Sequence, residues 1–149
     1  MTVVGAIDPG ARGGVAIITQ QRTEVHTLDG FNLKLLRSCT HVFVEKAQAM
    51  PKQGVSSMFT YGVGFGRLIG WLESLEVPYT LVTPQAWMKT MHVGTDTKLD
   101  AKARSLQAAR RVFPAVNLLA SERSKKPHDG LVDALLLAEH GRRVLEGKA

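Results

Sequence analysis

The spacing of apolar residues changes several times along this chain, and each change marks an element. Val3 to Ile7 and Gly14 to Thr19 are apolar and β-branched, with Asp8-Pro9-Gly10 and Gly13-Gly14 as turn formers between them, which predicts a hairpin. Thr23 to Leu28 alternates polar and apolar residues and fits the outer strand of an antiparallel trio. His41 to Val44 is nearly continuous in apolar character, as in a strand buried on both faces, and Glu45 ends it. One long helix is expected from about Val55 to Leu75, with Met58, Phe59, Leu68, Ile69, Leu72 and Leu75 supplying its apolar surface. Tyr79 to Val82 offers a fifth strand, and Thr83-Pro84 opens a short helix carrying Trp87 and Lys89. Thr97-Lys98-Leu99-Asp100 has the form of a capping box with Asp in place of Glu, starting a helix that runs to about Phe113 before Pro114 stops it. Pro127 suits the start of a final helix reaching about Leu145. Strands interleaved with helices give an α/β chain, with no repeat, low-complexity tract or linker to divide residues 1–149 into more than one domain.

Within the long helix, Gly62, Gly66 and Gly70 fall at i, i+4 and i+8 and leave a flat stripe. Each costs up to about 1 kcal/mol relative to Ala, so something should approach the stripe closely. Tight packing on the protein's own sheet is the favoured reading, ahead of a subunit contact.

Length and composition set the context. A chain of 149 residues buries roughly two-thirds of its unfolded surface and needs no disulfide or structural metal. The single Cys39 agrees, since it cannot form an internal bridge. No basic leader and no membrane-length apolar run is visible, so a soluble cytoplasmic protein is expected. The net charge of +6 is unevenly placed: residues 84–126 hold nine Lys or Arg against Asp96, Asp100 and Glu122. Such a stretch can follow a phosphate backbone, although a solvated helix face explains it equally well.

Four carboxylates change the picture further. Asp8, Glu45, Asp129 and Asp133 lie far apart in sequence, yet each interrupts or ends an apolar segment that reads as buried structure. Each has a plain structural explanation. Asp8 before Pro-Gly fits a turn, Glu45 an exposed strand end, and Asp129 a first-turn acid on a helix dipole. Asp133 is harder to explain away, bracketed by Leu131, Val132, Ala134 and Leu135 and one helical turn from Asp129. Brought together, such acids form an oxygen-rich cluster whose mutual repulsion hard divalent cations relieve. That chemistry is a metal-dependent nuclease's. No Ser or Cys has neighbours suggesting a triad, and the lone Cys with scattered His makes no zinc motif.

These residues together carry a family resemblance. IDPG with its Gly-rich hairpin, a strand ending in Glu, a basic region and a terminal helix containing DALLLA resemble the RuvC-type Holliday-junction resolvases of the ribonuclease H-like superfamily. EKAQAMPKQGVSSMFTYGVGFGRL and TPQAWMK look most like the short phage-encoded branch. The resemblance covers nearly the whole chain and rests on the order and spacing of motifs rather than on any one of them. It implies a ribonuclease H-like fold with a mixed five-stranded sheet flanked by helices. It also implies a magnesium-dependent endodeoxyribonuclease acting as a homodimer on four-way DNA junctions, in the host-cell cytoplasm if phage-encoded. Asp8, Glu45 and Asp133 match the family's acids. Bacterial members usually carry Asp or His three residues before the last Asp, where this chain has Gly130, so the fourth ligand is assigned to Asp129, with His128 as a weaker candidate. A carboxylate suits magnesium better than imidazole does.

Two magnesium ions about 3.5–4 Å apart are then expected, with manganese able to substitute, cutting phosphodiesters to leave 5′ phosphate and 3′ hydroxyl ends. Lys89 and Lys98 match basic positions the family places near DNA, while Lys102 and Arg104 are candidate phosphate contacts by charge alone. Gln48 stands where bacterial enzymes often have an aromatic wedge, leaving Met50, Phe59 or Tyr61 as guesses for junction opening. A related nuclease for other branched, flap or RNA-containing substrates would retain the same acids. An actin- or sugar-kinase-like ATPase needs far more chain, and a noncatalytic DNA-binding protein leaves the four acids without a common purpose.

Overall fold

The expected hairpin forms β1 (Val4–Asp8) and β2 (Gly14–Ile18), paired antiparallel with Asp8 opposite Gly14. β3 (Thr23–Thr27) continues antiparallel on β2. On the other side of β1, β4 (His41–Glu45) and β5 (Tyr79–Val82) run parallel to it, giving one mixed sheet in the order β3-β2-β1-β4-β5. The computed structural model describes all 149 residues. A parallel step needs a crossover, and α1 (Val55–Ser74) supplies it between β4 and β5.

Helices cover both faces, which is why β1 is apolar up to Asp8 and β4 is apolar between His41 and Glu45. One face carries α2 (Pro84–Met91), α3 (Ala101–Val112) and α4 (Asp129–Leu145), with Trp87, Leu135 and Leu136 fully buried against Ala6, Phe43 and Val4. The other face carries α1 through Leu68 and Leu72, which meet Ile7, Val15 and Val44. A 3-10 turn at Leu33–Ser38 closes this second core with Leu36 and was not foreseen, because six residues are too few to show a helical period. α4 is buried from Gly130 to Gly141 except at half-buried Asp133, consistent with the long apolar run Ala134–Ala138. Its Gly141 lets it cross Phe43, since a Cβ there would overlap the ring at 2.2 Å. No helix is long and apolar enough to cross a membrane.

Three expectations need correction. α3 starts at Ala101 rather than after Thr97: Asp100 is itself the cap, its Oδ1 accepting from the Ala103 N–H at 2.9 Å. Asp96 instead ties the preceding turn by accepting from the Lys98 N–H at 2.9 Å. α4 begins at Asp129, not Pro127, because His128 caps it. The glycine stripe of α1 does not pack on the sheet; a Cβ at Gly62, Gly66 or Gly70 would meet nothing within 4 Å. The apolar residues of α1 divide instead, Leu68 and Leu72 facing inward while Val55 and Phe59 stay exposed.

Candidate metal-binding active site

Strand register brings the first two acids together. Ile7 pairs with Val44 across parallel strands, so the next residues, Asp8 and Glu45, leave the sheet side by side at its carboxyl end. Side chains alternate along a strand, so both point to the face occupied by Ala6 and Phe43, which is the face under α4. α4 then delivers Asp133 from its second turn and Asp129 from its first.

Backbone contact fixes how α4 arrives. A Cβ on Gly14 would sit 2.2 Å from the Gly130 carbonyl oxygen, and a Cβ on Gly130 would sit 2.3 Å from that of Arg12. The helix start therefore rests on the β1–β2 turn with no side chain between. This gives the physical reason for the departure three residues before Asp133: no side chain fits at position 130, and the nearest acid is Asp129, one residue earlier.

Charge crowding is large at this end of the sheet. Burial, followed by the charges of Glu45, Asp133 and Asp129, pushes the Asp8 carboxyl up to about 9. Asp133 is pushed up to about 7 by burial, then by Glu45 and Asp129, with Lys102 opposing. Glu45 is raised by burial, partly offset by the Trp87 indole, whose Nε1–H donates to Glu45 Oε2 at 2.8 Å. Asp129 is the outermost of the four; its half-exposed carboxylate holds the Lys102 ammonium at 2.9 Å. Tyr61 stands beside the group, its hydroxyl pKa raised by burial and by the charges of Asp8 and Glu45.

All four sequence-derived acids thus lie within electrostatic reach of Asp8, on three elements of one sheet end. As oriented, no three His, Cys, Asp or Glu side chains close on a common point able to hold an ion. Two of the four have other partners, Glu45 on Trp87 and Asp129 on Lys102. The donor chemistry fits a hard divalent cation: the four candidate ligands are all carboxylates, and the raised pKa values of Asp8, Glu45 and Asp133 mark buried acids whose ionised forms lack compensation.

Other candidates fare differently. His128 Nδ1 accepts from the Leu131 N–H at 3.3 Å, so the ring is occupied as the α4 cap. Lys89 and Lys98 are exposed. Arg104 is spent internally, its Nε donating to Thr95 Oγ1 at 2.9 Å and its Nη2 to the His92 carbonyl at 3.3 Å; the basic stretch gave no sign of this, because charge counts do not reveal partners. Met50 and Phe59 are exposed away from the core, whereas Tyr61 lies at the acids. The Trp87 contact was missed, and nothing in the local sequence marks an indole 42 positions from its carboxylate. Cys39 is buried, with its thiol pushed up to about 11, and is inert.

A mixed five-stranded sheet in this order, flanked by helices and carrying acids at the ends of its first and fourth strands and on its last helix, is the RuvC-type ribonuclease H-like fold. The chain is similar to RuvC of Thermus thermophilus solved in complex with a Holliday junction substrate (TM-score 0.61, 18% identity), covering 100% of this chain and 98% of that one. It is similar also to a second Thermus thermophilus RuvC structure (TM-score 0.62, 19% identity), covering 99% and 98% respectively. No protein-family model matches the sequence, and no curated protein matches it.

Proposed function

We propose that this protein is a divalent-metal-dependent endodeoxyribonuclease that resolves four-way DNA junctions. The observation that carries the reading is the gathering of Asp8, Glu45, Asp129 and Asp133 at one end of the sheet, with Asp8 held near a pKa of 9 by burial and by the other three. The fold, shared with a RuvC solved on a junction, supports it. So do the motifs that resemble the phage-encoded branch.

Magnesium would be held by Asp8, Glu45, Asp129 and Asp133, and when bound it supplies Lewis-acid activation of water and stabilisation of the leaving oxygen. The chain's own residues do the rest. Trp87 holds one oxygen of Glu45, leaving the other to turn toward the site. The Gly13-Gly14 contact with Gly130 sets the depth at which Asp133 meets the strand ends. Lys102 neutralises Asp129 and is within reach to hand that role over when a cation or phosphate arrives. Lys89 and Lys98, both exposed, would draw in the phosphate backbone. The products are a 5′ phosphate and a 3′ hydroxyl.

Paired cutting calls for a homodimer, since a two-fold protein suits a two-fold substrate. The outer face of α1 suits the contact: Val55 and Phe59 are 87% and 75% exposed, and Gly62, Gly66 and Gly70 make it flat. Incubating the protein with a labelled immobile four-way junction and with a matched duplex, in magnesium, manganese or calcium, tests substrate, reaction and metal together. Symmetric nicks on the junction alone, in magnesium or manganese, are expected. Equal cutting of the duplex, or preference for a flap or an RNA-containing duplex, would replace this substrate; no cutting in any metal would overturn the nuclease.

A further inference from the structure

Between α1 and the turn after β1 runs a trough that the acid site does not use. Its first half, about 600 Å³, begins at Pro9 and Gly10, one residue beyond Asp8, and is lined by no ionised side chain. Hydroxyls of Ser56, Ser57, Thr60 and Tyr61 form one wall, with Leu28 opposite. Its second half, about 620 Å³, shares Gly10, Ala11, Leu28, Gly64 and Leu68 with the first and ends at Arg67 and Trp71. Asp29 also lines that half, so a phosphate there would seat on the α1 side, at Arg67. Trp71 is 45% exposed although Leu68 and Leu72 beside it are buried, which is an unusual position for an indole with no partner.

The trough joins the acid site at Tyr61, whose ring lies over Gly10 at 3.4 Å from where a Cβ would stand. From Tyr61 to Trp71 the helix rises about 15 Å, the length of about four nucleotides at ~3.4 Å each. A neutral, hydroxyl-bearing section can bond base edges as well as phosphate oxygens, while aromatic faces at both ends and one guanidinium suit a strand whose bases are free to stack. The trough is also distinct from the flat outer face of α1. Gly64 lies about 160° round the helix from Gly66, so association through that face leaves the trough open.

We propose that this trough seats a short unpaired DNA segment leading from the cleaved phosphate, its bases against Tyr61 and Trp71 and a phosphate at Arg67. The assignment rests on the nuclease reading above, because the strand it receives is the one that runs to the acids. Gly64 offers a clean perturbation: a Cβ there meets nothing within 4 Å, so Gly64→Leu keeps the fold while filling the trough.

The test is tryptophan fluorescence of the full chain in calcium, titrated with oligothymidylate and with the immobile four-way junction. Trp87 is fully buried but bonded to Glu45, so the quenching that reports Trp71 is the part that Trp71→Phe abolishes. Gly64→Leu should weaken oligothymidylate binding by roughly tenfold or more, as loss of base stacking does, and should redistribute cutting among positions on the junction. If Gly64→Leu fails to fold by circular dichroism, Arg67→Gln and Trp71→Ala, both at exposed positions, must each weaken oligothymidylate binding. Wild-type protein that cuts junctions with no quenching, or variants that bind oligothymidylate as wild type does, overturns the trough and leaves the nuclease standing. Quenching by oligothymidylate that Gly64→Leu removes, without cutting of any junction, keeps the trough and overturns the resolvase.

Discussion

Gly130→Ala tests whether backbone contact sets the acid site. The added Cβ would stand 2.3 Å from the Arg12 carbonyl oxygen and 2.7 Å from the Gly13 carbonyl carbon, where ordinary contact begins at 3.4 Å. Neither atom belongs to a flexible side chain, so α4 or the β1–β2 turn must retreat by roughly 1 Å. Two stability effects oppose each other. Ala gains about 1 kcal/mol of helix propensity over Gly, while overpacking costs about 1–3 kcal/mol. The net loss is up to about 2 kcal/mol, which at about 2–4 °C per kcal/mol for a domain of this size lowers the melting temperature by up to about 8 °C. Function should suffer more than stability, because moving Asp129 and Asp133 by about 1 Å is the scale of misplacement that costs about a hundredfold in rate. Gly70→Ala is the control: with nothing within 4 Å of its Cβ it keeps the propensity gain and should melt higher. The assays are thermal melting, single-turnover junction cleavage in magnesium, and gel shift in calcium, where Gly130→Ala should still bind. A Gly130→Ala protein that melts at or above wild type and cuts at the wild-type rate would refute the argument.

Other outcomes follow from the same site. Asp8→Asn, Glu45→Gln and Asp133→Asn should each lower cleavage by about two orders of magnitude or more, the scale of losing one transition-state stabiliser, while gel shifts retain junction binding; joint loss of folding and binding would make these residues structural. Asp129→Asn should behave similarly, whereas His128→Ala should lose only a cap, about 1 kcal/mol by melting, and the reverse pattern would exchange their roles. Because the folded-state values of Asp8 and Asp133 lie above 3.8, at about 9 and about 7, the folded protein holds more protons than the unfolded chain between those limits, so without divalent cation its melting temperature should fall as pH rises from about 4 through 7 to 9. Magnesium should restore it, and Asp8→Asn should flatten the profile; a flat wild-type profile would show the carboxyls to be unperturbed. Lys98→Ala should reduce the salt slope of junction binding by roughly one, and an unchanged slope removes Lys98 from the DNA surface. Gly66→Leu should weaken self-association in analytical ultracentrifugation, and a wild-type monomer with and without junction would sink paired cutting.

The five strands and the α-helices could be read from the sequence because apolar period and turn chemistry are local signals, and Asp133 stood out because an acid inside DALLLA conflicts with its surroundings; the order of the strands in the sheet, which depends on long-range pairing, could not be read. Helix starts were read less well: Asp100 and His128 act as caps, while the more conventional signals at Thr97 and Pro127 do not. The glycine stripe shows a deeper limit. Spacing shows that a helix face is flat, but only the packed structure shows that Gly13, Gly14, Gly130 and Gly141 are in close contact while Gly62, Gly66 and Gly70 are open. Partners were likewise invisible, since the Glu45–Trp87 and Lys102–Asp129 contacts join residues far apart in the chain.

Asp8 and Asp133 lie at opposite ends of the sequence, yet α4 meets β1 and β2 through the most extensive packing in the molecule. The acid cluster therefore forms only when nearly the whole chain has closed on itself. β1 to β4 can pair while the chain is still being made, and α3 can already present its cations, but neither contains the last two acids. Long-range closure of this kind comes late in folding. On the nuclease reading this is a safeguard: partly folded copies that present the basic helix without α4 in place lack the set of acids that cutting would need.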